Sequence, residues 1–174
     1  MNERTVSSEK NTTVRPARRE VPVWVKYVII GALALFVVFM FLNNRASNMP
    51  FADVEQAVES QIDPETMTRA DDQTIKRDYG LNAADYDGIM LYVSTFNLNA
   101  QEILLVKVED ESQMQDVEDA VDARIESRKN DFDGYIPEQA KLMDDALVTI
   151  RGDYLFLVIS DEAEKYQAAF ERSL

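Results

Sequence analysis

ALVTIRGDYLFLVIS, residues 146–160, is the stretch on which a reading of the fold turns. Two runs rich in β-branched and aromatic residues, Ala146–Arg151 and Tyr154–Ser160, flank Gly152-Asp153, a two-residue connection of the kind that closes a β-hairpin. The second run, Tyr154–Ile159, is apolar at every position. A strand with one wet face alternates, so an unbroken run predicts a strand covered on both sides.

Working outward gives the other elements. Ile89–Ser94 and Glu102–Val108 read as two further strands, joined by the turn-forming Asn97–Ala100. Phe51, Val54, Val58 and Ile62 recur at helical spacing and predict a helix over 51–62, ended by Asp63-Pro64. Residues 72–79 form a short helix that Gly80 closes. A long helix over 112–132 carries the stripe Met114, Val117, Val121, Ile125 and Phe132. Arg124, Arg128 and Lys129 lie toward its end, where cations complement the helix dipole. Pro137 opens another short helix to about Asp144. Asp161 caps a last one that turns Ala163, Tyr166, Ala169 and Phe170 inward. The order α-α-β-β-α-α-β-β-α predicts an α+β fold: a four-stranded, mostly antiparallel sheet packed with helices.

This domain, residues 51–174, follows three other segments. VWVKYVIIGALALFVVFMFL, residues 23–42, has one charge, Lys26, and predicts one transmembrane helix. Trp24, Lys26 and Tyr27 fall where membrane-interface residues are expected. Residues 1–22 are polar and basic and are expected to be a disordered cytoplasmic tail. Residues 43–50 make a short linker. Residues 1–26 hold six basic side chains and three acidic ones, and only Arg45 lies just after the apolar stretch. The positive-inside rule then places the N-terminus in the cytoplasm and the domain outside, in a single-pass cell-membrane protein with its anchor retained.

Charge and composition exclude several chemistries. The net charge is −14, with 32 acidic against 18 basic residues, and His and Cys are absent. A domain this acidic does not bind nucleic acid through phosphates. Without imidazole or thiol there is no Ser-His-Asp or Cys-His catalysis, no disulfide and no Cys/His zinc site. Nothing in the residue set calls for a cofactor.

Several elements together resemble the bacterial domain of unknown function 4358 family. They are Asp78-Tyr79-Gly80 before a strand, EILLVKVED (Glu102–Asp110), the acidic long helix, Tyr135-Ile136-Pro137-Glu138, and Arg151–Ser160 with a closing Phe170-Glu171. The resemblance covers roughly residues 50–174 and lies in the order of elements. It implies a lipoprotein or membrane-anchored surface protein, here with an apolar anchor in place of a Cys, and a setting among enzymes that acylate surface polysaccharides. It carries over no catalytic residue.

The candidate sites are carboxylates. Asp85-Tyr86-Asp87-Gly88 and Asp131-Phe132-Asp133-Gly134 begin as calcium loops do. Aligned on Gly134, however, the loop starts at Lys129 and ends at Ala140; aligned on Gly88 it starts at Ala83. Both read more simply as turns, leaving Asp85, Asp87, Asp131 and Asp133 as weak metal candidates. The acidic series from Glu109 to Glu126 reads as a solvated helix face with capping residues. Arg151-Gly152-Asp153 reads as hairpin chemistry rather than an adhesive tripeptide. The tyrosines are expected to pack, with a carbohydrate-stacking surface as the other reading. The function expected is a non-catalytic binding or accessory module at the bacterial cell surface, in contact with the bilayer through its anchor and with an envelope protein partner. The alternative is an envelope hydrolase using paired carboxylates.

Overall fold

The computed structural model describes residues 23–43 and 49–174, with side chains for 24–38 and 49–174. The expected tail, residues 1–22, and most of the linker lie outside the described residues. The chain divides into two units, one ending at Val38 and the other running from Phe39 to the C-terminus.

In the first unit, helix α1 (Val23–Asn43) begins at the predicted place. Trp24, Lys26 and Tyr27 sit in its first turns with exposed side chains. Among the described residues no helix is long and apolar enough to cross a membrane. The transmembrane helix expected at 23–42 is therefore not part of the fold that the structure describes.

The second unit is built on one sheet. Its strands are β1 (Met67–Arg69), β2 (Gly88–Ser94), β3 (Glu102–Lys107), β4 (Leu147–Arg151) and β5 (Tyr154–Ile159), in the order β1-β2-β3-β5-β4. The sheet has five strands rather than the four expected, and every pairing is antiparallel. The strand that sequence reasoning missed is β1. It is three residues long and only Met67 is buried, so it offers no period to read.

Helices cover both faces. β5 sends Leu155, Leu157 and Ile159 to one side, where they pack with Leu104 and Val106 of β3 and with Ile75, Val117, Val121 and Met143. These last four come from α3 (Asp72–Tyr79), α4 (Met114–Phe132) and α5 (Pro137–Asp144). Tyr154, Phe156 and Val158 point to the other side, against Val54, Val58, Tyr166 and Phe170. That layer is α2 (Phe51–Glu59) and α6 (Ala163–Ser173). The Phe156 and Phe170 rings stack at 4.8 Å, and Tyr154 meets Phe170 edge-on at 6.3 Å.

Local chemistry sets the element ends. Asp71 accepts a hydrogen bond from the Thr74 amide at the start of α3, and Gly80 ends that helix with φ 73°. Gly152 turns the β4–β5 hairpin at φ 57°, a conformation that L side chains rarely adopt. Asp161 is not the cap expected of α6. That helix starts two residues later, and the Ser160 hydroxyl accepts from the Glu162 amide instead.

Phe156 tests this packing. Phe156→Ala removes a ring buried between the sheet and α6 and is expected to cost about 3–5 kcal/mol, measured by denaturant unfolding. A loss below about 1 kcal/mol would contradict the two-sided core.

Candidate functional site

Glu102 opens β3 on the same face as Leu104 and Val106 and is 2% exposed. A carboxylate taken this far from water needs partners for its charge and its lone pairs. α4 supplies them. Its inward stripe runs Val117, Val121, Arg124, Arg128, Phe132, so the two arginines expected to serve the helix dipole turn toward the sheet. Arg124 grips Glu102 with two hydrogen bonds, Nε to Oε2 at 3.1 Å and Nη2 to Oε1 at 2.6 Å. The Tyr79 hydroxyl donates to Oε2 at 2.8 Å. Arg124 Nη2 also donates to Asp78 at 3.2 Å, and Asp78 takes the Arg77 Nε at 2.7 Å.

This cluster joins α3, α4 and β3 through groups that Asp78-Tyr79 and Glu102 bring from the sequence. Both Glu102 oxygens are occupied by fixed donors, so the group serves as a lock between elements rather than as a proton acceptor for a substrate. Burial first, and then the Glu102 charge, hold the Tyr79 hydroxyl well above the ordinary tyrosine range.

Above the lock lies a cavity of about 290 Å³, bordered by α3, α4 and the loop after β2. Arg77, Arg124, Arg128, Asp78 and Glu102 supply its charges, and Thr74, Ser94, Asn97, Asn99 and Gln101 its uncharged polar groups. Phe96 stands at its border, 65% exposed. Nothing in the sequence joined these residues, because they come from three separate elements. The one local signal was the 117-121-124-128-132 spacing on α4.

The aspartates singled out in the sequence are not brought together. Asp87 pairs with Lys107, and Asp85 accepts the Gln113 amide on its backbone oxygen at 2.7 Å, beside the start of α4. Asp131 and Asp133 sit at the far end of that 19-residue helix, about 28 Å along it. Asp131 lies 3.7 Å from Arg128, and Asp133 is the C-cap. Among the described residues no group of three or more acidic side chains is placed to hold a metal ion. Asp110, in the acidic series, caps the turn Glu111–Gln113 ahead of α4 with a reciprocal capping box. Arg151 leans on Glu171 at 3.4 Å beside the hairpin turn. Tyr79, Tyr92, Tyr154 and Tyr166 are buried, while Tyr135 is 76% exposed.

The two sheet edges differ. β1 is short, and its Arg69 is ion-paired with Glu55 and Glu59, the usual way of blunting an edge. β4 is five residues long, pairs only with β5, and exposes Val148 and Ile150 (43% and 36%) on one face. Arg151 at its end is its only charge.

These features define a class: an acidic α+β domain with helices on both sheet faces, an ionic lock under a polar cavity, and one unguarded strand edge. The family model of the domain of unknown function DUF4358 matches residues 60–160, and the chain belongs to that family. No curated protein and no solved structure matches it.

The lock makes two checkable statements. Tyr79→Phe removes one donor to a buried carboxylate and is expected to cost about 1–3 kcal/mol, whereas Arg124→Met strands the charge and costs about 3–5 kcal/mol. A raised tyrosine pKa stabilises fully below its unfolded value of about 10 and is withdrawn as pH climbs past it. Alkaline unfolding followed by circular dichroism should therefore begin above about pH 10 and be less steep in Tyr79→Phe.

Proposed function

We propose that residues 51–174 form a non-catalytic binding module at the bacterial cell surface, outside the cytoplasm, that engages an envelope protein in the setting of polysaccharide modification. The apolar residues ahead of it hold it at the cell membrane, with the basic N-terminal residues on the cytoplasmic side. The observation that carries the binding reading is the β4 edge. Its outer backbone groups pair with no described strand, and Val148 and Ile150 lie open beside them. A free edge with a single charge at its end is a surface on which a partner can add a strand. The charge asymmetry of the first 26 residues supports the orientation, and the occupied oxygens of Glu102 support a role without acid–base chemistry.

Three measurements test this. Protease added to intact cells with a permeable wall should remove the folded domain and spare the N-terminal residues; protection of the domain would overturn the location. Val148→Lys with Ile150→Lys should abolish crosslinking to the partner in native membranes while changing stability by no more than about 1 kcal/mol, since both sites are exposed. Asp→Asn at Asp85, Asp87, Asp131 and Asp133, one at a time, should leave cellular function intact. A folded, abundant and inactive carboxylate variant would replace the binding module by a hydrolase.

A further inference from the structure

We propose that the cavity over the Glu102 lock is a ligand site for a monoanionic, hydroxylated small molecule, a single sugar-acid ring in size, whose carboxylate is held by Arg128 and Arg77. This goes beyond the partner reading, because the cavity and the β4 edge use different residues.

Charge supplies the first argument. The cavity's lining carries three guanidinium groups and two carboxylates, one positive charge in excess, in a chain whose net charge is −14. A local positive excess in so acidic a protein favours an anion at that spot and nowhere general. Satisfaction of the donors supplies the second. Arg124 spends its Nε and Nη2 on Glu102 and Asp78. Arg77 spends its Nε on Asp78 and is otherwise exposed. Arg128 is poorly engaged: its Nη2 reaches the Asn99 carbonyl at only 3.4 Å, and its Nη1 stands 3.7 Å from the exposed Asp131. Its buried Nε has no hydrogen-bond partner, although Glu102 lies 3.5 Å away. A buried donor left unmade is costly, and the Phe132 ring 4.6 Å from the guanidinium holds it in place. The terminal nitrogens of Arg128 are thus fixed, charged and underused.

The ligand's chemistry follows. A guanidinium fork suits a carboxylate or a phosphate. A phosphate monoester carries about −1.5 to −2 at neutral pH, more than one excess positive charge offsets, whereas a carboxylate matches it. A volume of about 290 Å³ accommodates one ring. The hydroxyls of Thr74 and Ser94 and the Asn97 amide suit a hydroxylated body, and the exposed Phe96 ring offers a face for its C–H side.

The test uses the intact, ¹⁵N-labelled chain in a sugar-free detergent, titrated with glucuronate, glucose, acetate and inorganic phosphate. Amide signals of residues 94–101 and arginine Nε signals are followed. Glucuronate is expected to give saturable shifts confined to this cavity, tighter than those of the other three. Arg77→Gln and Arg128→Lys, the latter keeping the charge but losing the fork, should each weaken it about tenfold, equivalent to about 1.4 kcal/mol. Phe96→Ala should weaken glucuronate and leave acetate unchanged. Val148→Lys with Ile150→Lys should not change it, which separates this site from the partner edge. Absence of saturable shifts with glucuronate, or shifts that persist in both arginine variants, would overturn the site. Tighter binding of phosphate would overturn the carboxylate.

Discussion

β3 and β5 lie side by side in the sheet with almost no residue exposed on either face. Such strands are stable only if something apolar lies above and below them, because every second side chain points the opposite way. α2 and α6 therefore close one face, and α3, α4 and α5 the other. The chain sets the first and last helices of the domain on one face and the three between them on the other, and so satisfies that single demand. The outer strands, where coverage thins, are where the molecule keeps its open surface.

Glu102 is the exception within this apolar pair, and its position explains its company. It begins β3 on the face that α4 covers, so a helix passing over it must carry either water or cations there. α4 carries Arg124 and Arg128 on its buried stripe, and α3 adds Tyr79. A buried pair of this kind contributes little net stability compared with apolar side chains of the same volume. What it does provide is placement: it ties α4 to the start of β3, with Arg124 bonded to Glu102 and Arg128 Nε 3.5 Å from it.

Much of this fold was legible in the sequence, and the parts that were not share a cause. The Tyr154–Ile159 run, the turn at Gly152, the Gly80 helix end and the α4 stripe are local patterns, and the structure has them where the residues put them. β1 escaped because three residues show no period and its strand conformation comes from pairing with Tyr92–Ser94, far along the chain. Asp161 misled because a capping residue type was adjacent to the helix while the hydroxyl of Ser160 lay in better reach. The cavity over Glu102 was illegible for a related reason. Arginines near a helix end satisfy the dipole argument and the ion-pair argument equally well, and only the distance to a strand 22 residues earlier decides between them. The Asp-x-Asp-Gly pairs drew the eye by composition, yet α4 holds them apart.

The Tyr154 hydroxyl donates to the Met49 carbonyl at 2.7 Å, just where the chain enters the domain ahead of α2. Tyr154 also ends the hairpin whose other strand is β4, and its register partner there is Arg151. The point where the chain enters the domain and the strand that stands open thus meet at the Arg151–Tyr154 row. A tension drawn between Met49 and β4 would meet this corner first. Under such a pull, the β4–β5 ladder would be the mechanical fuse, and the Glu102 lock, at the other end of β3 from the row Lys107–Tyr154–Arg151, would keep its geometry while the corner yielded.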